Sequence, residues 1–309
     1  MDLSIIIVNW NVRDLLRRCL QSIPEAATGL TYEIIVVDNA SNDGSDQLVH
    51  AFPHVHWIQN LENVGFTRAN NQGLAASQGR YICFLNPDTV LRPKALSILV
   101  EYLDTHPKVG IVGPQLRYPD GTLQPSRYRF PTPMMALMES TPLAWAWPDN
   151  PWARAYHCSD CPPDRPHAVD WLNGACLMVR REVIAQVGAF DETFFMYSEE
   201  LDLCRRAKDA GWEVMYVPDA VVVHYEGQSS GQAVLARDVN FNRSKVRYFY
   251  KHHGVLTAHL VRWGLRLEYG VQLLLEAAKW LVGHKRPLRA QRVRVYWAVI
   301  RDALGAPRP

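Results

Sequence analysis

The chain has 309 residues, 48% of them hydrophobic and 21% charged, enough for a large core in one or two domains and unlike a disordered chain. The formal net charge of +2 conceals an uneven distribution: fourteen of the 33 Lys and Arg, but only three of the 31 Asp and Glu, lie from residue 243 onward. A basic appendage of this kind meets something anionic, either lipid headgroups or nucleic acid.

Residues 3–8 (LSIIIV) are a continuous apolar, β-branched run, the pattern of a strand buried on both faces. Residues 14–23 follow with Leu15, Leu16, Cys19, Leu20 and Ile23 at helical spacing, and Pro24 predicts the stop. Strands are predicted at 33–37, 55–58, 80–85 and 109–112, and helices at 46–51, 67–77 and 93–105. This alternation predicts a mostly parallel sheet covered on both faces. Residues 117–168 are rich in Pro and Trp and show little periodicity, which suggests a lid or binding loop that carries specificity. A second ordered block covers 171–223: a strand at 175–181, a helix at 182–187, a loop at 188–198, a helix at 199–210, and two strands at 212–218 and 220–224. Residues 235–252 read as a helix. Residues 255–282 read as one or two amphipathic helices with Leu256, Leu260, Trp263, Leu267, Val271, Leu274, Leu275, Ala278 and Leu281 on one stripe.

Cys19, Cys83, Cys176 and Cys204 sit singly in apolar or helical contexts and read as small core residues. His157, Cys158 and Cys161 could begin a zinc site with His167 nearby, but no second ligand pair is evident. No signal peptide precedes the first strand, and no window of about 18 uncharged apolar residues offers a spanning helix. A cytoplasmic, reducing location is the expectation.

In open α/β sheets, ligands bind beyond the carboxyl ends of the strands. Here those ends carry Asn9-Trp10-Asn11, Asp38-Asn39-Ala40-Ser41, Asn63-Val64-Gly65-Phe66 with Arg68, and Asn86-Pro87-Asp88. Each alone reads as an ordinary turn, since Asn, Asp and Pro favour turns. Four polar tips along one edge are better explained by a shared polar ligand. The first strand is followed by NWNVRD, so the dinucleotide glycine fingerprint is missing, as is a P-loop. A divalent metal held by few carboxylates can instead neutralise a diphosphate, because Mg²⁺ accepts substrate phosphates as its remaining ligands. Asp88 is placed for that role, and Asp38 to accept a hydrogen bond from a pyrimidine N–H.

With these residues assembled, the chain resembles the family 2 glycosyltransferases of GT-A (nucleotide-diphospho-sugar transferase) fold, most of all the bacterial rhamnosyltransferase branch. The matching stretches are SIIIVNWN at 4–11, VDNASNDGS at 37–45, NVGFTRANNQGL at 63–74, FLNPDTVL at 84–91, WLNGACLMVRREV at 171–183, GAFDETFFMYSEELDLCRRAKDAGW at 188–212 and VVVHYEGQSS at 221–230. They arrive in family order and cover residues 1–230; no motif covers the tail. The resemblance implies a catalytic domain at 1–234, with a nucleotide-binding half at 1–116 and an acceptor and base half at 117–234. A basic helical extension follows at 235–309.

The resemblance also implies roles. Val8, Asn9, Asn11, Asp38, Asn39, Asn63, Gly65, Arg68, Asn86 and Asp88 would bind the donor, a nucleoside diphosphate sugar such as dTDP-L-rhamnose or a UDP-sugar. The family's acidic metal element reads Asn86-Pro87-Asp88 here, so Asp88 is the main carboxylate for Mg²⁺ or Mn²⁺, with His224 as second ligand. Glu199 or Glu200, in the acidic pair before a helix, would be the general base of an inverting transfer. The plain structural role for these acids is to complement the helix dipole. Trp171, Asn173, Gly174 and Asp202 would line the acceptor or sugar pocket, although Trp171 reads equally well as a core aromatic. The acceptor would be a hydroxyl of a glycan or lipid-linked molecule in bacterial cell-surface polysaccharide synthesis.

The basic tail and the 255–282 stripe fit either the inner face of the plasma membrane or packing on the catalytic domain or within a homo-oligomer. No recognition motif supports nucleic acid. Two other classes stay open at this point. A nucleotidylyltransferase on the same fold lacks its glycine-rich loop here, and a non-catalytic sugar-nucleotide binder has no use for Glu199 and Glu200.

Overall fold

A computed structural model describes residues 1–138 and 147–305, without the side chain of Ser230. Residues 139–146, in the middle of the 117–168 segment, and residues 306–309 at the end of the basic extension lie outside the described residues. The chain forms two compact units. The first comprises residues 1–130, 157–195 and 199–229, the second residues 131–156, 196–198 and 230 to the end.

The first unit is built on a sheet of nine strands among the described residues, ordered β3-β2-β1-β4-β10-β6-β11-β5, with β8 paired to β11. The strands are β1 (Leu3–Asn9), β2 (Tyr32–Asp38), β3 (His56–Gln59), β4 (Tyr81–Leu85), β5 (Thr89–Leu91), β6 (Val109–Arg117), β8 (His167–Ala168), β10 (Cys176–Arg180) and β11 (Glu213–His224). Two more, β7 (Arg127–Tyr128) and β9 (Trp171–Leu172), form a separate ribbon. Six of the nine run the same way; β5, β8 and β10 oppose them. The expected mostly parallel sheet is present, with β10 inserted antiparallel between β4 and β6.

The apolar run of β1 is buried because both faces of the sheet are covered. Ile5 and Ile7 point into a core shared with Leu16, Leu20 and Ile23 of α1 (Arg13–Ala26) and Leu96, Leu99 and Leu103 of the helix Ala95–Thr105. Ile6 points into a second core with Ile82, Phe84, Phe190 and Leu203. Cys19, Cys83 and Cys176 lie in the first core and Cys204 in the second, all as free thiols.

Several boundaries differ from those read in the sequence. Helix α1 runs through Pro24 to Ala26; a proline in the last turn removes one hydrogen bond, and Leu20, Ile23 and Ala26 are all buried, so packing carries the helix past it. Residues 212–224 form one strand, not two. The aperiodic 117–168 segment holds the end of β6, the short strands β7 and β8, and helices at Pro133–Met138 and Pro151–Tyr156.

The second unit is helical. Val234–Leu281 is one helical run broken only at Gly254, whose φ of 83° and ψ of 169° leave the helical region. Arg286–Ala298 packs against it. No helix among the described residues is long and apolar enough to cross a membrane.

Candidate active site

Parallel strands β1, β2 and β4 end side by side, in register Asn9↔Asp38 and Ile7↔Leu85, so their polar tips share one edge. There the side chains tie one another down. Asn9 Nδ2 donates to Asp38 Oδ2 at 2.8 Å and to Ser41 Oγ at 3.0 Å. Asp38 Oδ1 accepts from the Ser41 backbone at 2.8 Å and from Gln59 Nε2 at 2.9 Å. Of about four acceptor positions on that carboxylate, three are taken. Asn9 Oδ1, by contrast, is buried and has no partner. Its orientation is fixed, because its amide N–H groups are committed to Asp38 and Ser41. The open acceptor at this tip therefore belongs to Asn9 as much as to Asp38.

The other donor-side residues divide into frame and surface. Val8 is core, packed with Ile35, Val37 and Ala69. Asn11, at φ 54°, bonds Ser41 Oγ through its N–H and the Asn42 N–H through Oδ1. Asn39 is fully engaged: it donates to Asn63 Oδ1 and Gly65 O and accepts from Asn60 and Val64. It closes the 60–65 loop over the end of β2. Gly65 has φ 92°, and a Cβ there would meet the Phe195 ring at 2.7 Å, so only glycine fits. Arg68 is exposed on the first turn of the helix Phe66–Ala76, and no hydrogen bond or ion pair to it is found among the described residues.

At the end of β4, Asp88 is 5% exposed, and its Oδ1 lies 3.3 Å from Nε2 of His224, the last residue of β11. His224 Nδ1 faces Gln124 Oε1 at 3.1 Å, and Gln124 Nε2 donates to Glu226 Oε2 at 2.9 Å. A carboxylate can only accept, so Gln124 must turn its NH₂ to Glu226 and its oxygen to His224. His224 then donates Nδ1–H to Gln124, and its other ring nitrogen, Nε2, faces Asp88. Asn86 Oδ1 beside them is buried and unpartnered. Ligand atoms on adjacent corners of an octahedral ion with ~2.1 Å bonds lie ~3.0 Å apart, close to the Asp88–His224 separation. Two protein donors and an orphaned carbonyl fit a divalent cation whose other ligands are substrate oxygens. No group of three His, Cys, Asp or Glu is gathered anywhere among the described residues, including at Cys158 and Cys161.

Gln124 was invisible in the sequence: it lies in the aperiodic segment, 100 residues from His224. Gln124→Leu removes the acceptor that fixes Nδ1–H, and Mn²⁺ affinity is expected to fall about 10- to 100-fold. Mn²⁺ titration followed by electron paramagnetic resonance reads this directly; unchanged affinity refutes the relay.

The acidic pair opens the helix Glu199–Asp209. Glu199 is 4% exposed and Glu200 half-buried, and each has a buried Oε2 without a partner. Burial drives the Glu199 carboxyl well above the usual range, with repulsion from Glu200 adding to it. Burial also raises Glu200, opposed by backbone N–H groups including that of Gly174. Gly174 leads to Ala175, whose carbonyl accepts the Asn86 N–H at 2.9 Å. A Cβ on Gly174 would stand 3.5 Å from Glu200 Oε1, so residues 174–175 run between the base candidate and the Asn86-Pro87-Asp88 turn. Tyr197 and Ser198, just before the pair, sit at φ 71° and 66°, strain of the order of 1–3 kcal/mol each that clusters at functional sites.

Asn173 takes the Ala175 N–H on Oδ1 and gives its own N–H to Ser126 O. Trp171 stacks on Tyr128 with ring centroids 4.4 Å apart and donates Nε1–H to Arg129 O. It is half-buried and also packs against the second core. Asp202 is fully buried and pairs with Arg206, which in turn holds the carbonyls of Val187, Gly188 and Ala189. Asp202 therefore lies beneath the site and not on its surface.

Residues 4–188 match the model of glycosyl transferase family 2. The chain is 32% identical over 277 residues to the N-acetylglucosaminyl-diphospho-decaprenol L-rhamnosyltransferase of Mycobacterium tuberculosis (strain ATCC 25618 / H37Rv), covering 85% of this chain and 89% of that one. It is 28% identical over 239 residues to rhamnosyltransferase WbbL of Escherichia coli (strain K12), covering 72% and 82%. Among solved structures it superposes on the mannosyltransferase PcManGT from Pyrobaculum calidifontis in complex with GDP-Man and Mn²⁺, at TM-score 0.55 and 16% identity, over 96% of this chain and 84% of that one. GalNAc-T7 with UDP, GalNAc and Mn²⁺ matches at TM-score 0.56 and 16% identity, over 81% and 47%. These structures share the GT-A fold with the chain.

Proposed function

The chain belongs to glycosyl transferase family 2 and is a glycosyltransferase, and from that premise we propose that it moves L-rhamnose from dTDP-L-rhamnose to a hydroxyl of a lipid-linked glycan, inverting the anomeric carbon. The setting is assembly of a bacterial cell-surface polysaccharide at the cytoplasmic face of the membrane, a location supported by the six free thiols. Two rhamnosyltransferases among the relatives support the donor, and the decaprenol-linked substrate in one of their names supports the acceptor. Residues 1–234 carry the chemistry and 235–309 form the basic extension.

The observation that carries the reading is the stretch Gly174-Ala175, where a Cβ on Gly174 would stand 3.5 Å from Glu200 Oε1 and the Ala175 carbonyl accepts the Asn86 N–H. It sets a carboxylate with an unused oxygen beside the turn that would hold the diphosphate. The open acceptor of Asn9, with Asp38, receives the base edge of the nucleotide, and Arg68 faces its phosphates. Asp88 and His224 hold the divalent cation, Mg²⁺ or Mn²⁺, whose charge offsets that of the leaving diphosphate. Trp171 offers an aromatic face to a sugar ring, and Asn173 and Gly174 shape the wall beside it. Glu200 accepts the proton of the acceptor hydroxyl as that oxygen bonds to the anomeric carbon and the bond to the diphosphate breaks. Glu199, more deeply buried, is raised further by the charge of Glu200 and so stays protonated beside it.

The test offers dTDP-L-rhamnose, UDP-sugars and GDP-mannose in parallel with an N-acetylglucosaminyl-diphospho-polyprenol acceptor and Mg²⁺ or Mn²⁺. Rhamnosylated lipid of inverted configuration, from the dTDP donor alone, is the expected product. Transfer from a UDP-sugar instead would keep the mechanism and discard the rhamnose. Binding of a sugar nucleotide without transfer to any acceptor would favour a non-catalytic binder, and no nucleotide binding would refute the site.

A further inference from the structure

The helical second unit exposes a row of large apolar side chains while burying several charged ones. After the break at Gly254, Leu256, Leu260, Trp263, Leu267, Leu274 and Leu281 recur at intervals of three, four or seven residues, and each is at least 60% exposed. At 100° and 1.5 Å per residue they form one straight row about 37 Å long. The side chains turned away from solvent in the same helix include Arg262, Glu268 and Glu276, each under 10% exposed. Glu276 pairs with Arg289 of the following helix, also buried, and with Lys279 and Arg292 nearer the surface. A helix adapted to water places its leucines inward and its ions outward; here Ala258, Val261 and Leu265 share the buried face with Arg262, Glu268 and Glu276, while a row of larger apolar side chains faces out. The amphipathic stripe legible in the sequence is real, but it is not the stripe that packs.

We propose that this row is a docking surface for the headgroup–acyl boundary of an anionic phospholipid bilayer, on which the helix lies in the plane of the membrane. Charge selects this occupant over a second copy of the chain. From residue 243 onward the exposed cations include Lys251, Lys279, Lys285, Arg286, Arg292 and Arg294, whereas Asp302 is the single exposed acid among the described residues. Two such basic segments repel each other, while an anionic leaflet attracts one. Arg266 lies over the Trp263 ring at 4.7 Å and Arg286 over Trp280 at 5.5 Å, pairings that suit the boundary between lipid and water. The row is too interrupted by charge to span the membrane, so it lies on the surface.

The full-length protein is sedimented with vesicles of phosphatidylcholine alone and of phosphatidylcholine with phosphatidylglycerol. The variant is L260Q, L267Q and L274Q combined, chosen because all three side chains are exposed and tolerate the change. The expected result is binding that strengthens with phosphatidylglycerol, weakens with salt, and falls at least about 100-fold in the variant, with its circular dichroism unchanged. Binding undiminished in the variant would overturn the proposal. So would a wild type that ignores vesicles and forms a dimer which the triple substitution dissolves in analytical ultracentrifugation. Sugar-nucleotide binding measured without vesicles is expected to be equal in both proteins, so failure at the membrane is separable from failure of the transfer reading.

Discussion

Glu200→Gln is expected to lower kcat by about 10²- to 10⁴-fold, the usual contribution of a positioned general base, while sugar-nucleotide affinity stays within about twofold. Glutamine keeps the length and shape of the side chain and one amide oxygen, so the packing against Gly174 survives and only proton acceptance is lost. Stopped-assay turnover and donor titration separate the two quantities. A Glu200→Gln enzyme with full turnover would remove Glu200 as the base, and the same measurement on Glu199→Gln would show whether its neighbour holds that role.

The same pair makes a pH argument whose sign can be worked out. Burial raises both carboxyls above the ordinary carboxylate range, so the base becomes protonated, and turnover falls, at a higher pH than for an exposed glutamate. Stability runs the other way. Below the ordinary pKa of about 4.3, the folded and unfolded states are both protonated and the pair costs least. As pH rises through that value the unfolded chain loses its protons first, and stability declines until the raised folded-state values are passed. Glu199→Gln removes the larger of these penalties. That variant should melt higher than wild type at neutral pH, with the difference shrinking toward acid pH. An enzyme designed for stability alone would not keep two carboxylates, each with a buried unpartnered oxygen, at a strained helix entry.

How much of this was legible depends on which interactions are local. The β-α alternation and the polar strand tips follow from short-range periodicity and from the direction of parallel strands, so Asn9, Asp38 and Asp88 could be read as sharing one edge; the acid pair Glu199-Glu200 entered only through the family resemblance. The antiparallel insertion of β10 could not, since an apolar run such as CLMVR does not encode its direction. Gln124 could not either, because its partners lie about 100 residues away and its own segment lacks a period. The Leu256–Leu281 row shows the limit of hydrophobic patterning most directly: the sequence reveals that a stripe exists but not which medium it faces. Only the burial of Arg262, Glu268 and Glu276 on the other side decides that.

Asp88→Ala is expected to abolish divalent-metal binding at the site and to lower kcat/KM by at least about 10³-fold, roughly the 4 kcal/mol that charge neutralisation of a leaving diphosphate contributes. The geometry makes Asp88 hard to replace. His224 alone offers a single ring nitrogen, Asn86 only a carbonyl oxygen, and no third acidic or imidazole side chain joins them among the described residues. Folding should be little affected, because the Asp88 backbone carbonyl, and not its side chain, takes the Tyr225 N–H that secures the turn. Asn86→Asp gives the reciprocal result. A second carboxylate where an orphaned amide oxygen now lies should tighten Mn²⁺ binding in the wild-type background and recover part of it in Asp88→Ala. Metal-dependent sugar-nucleotide binding that persists in Asp88→Ala would place the cation elsewhere, and the Asp88–His224 contact would then be an ordinary buried ion pair between two strand ends.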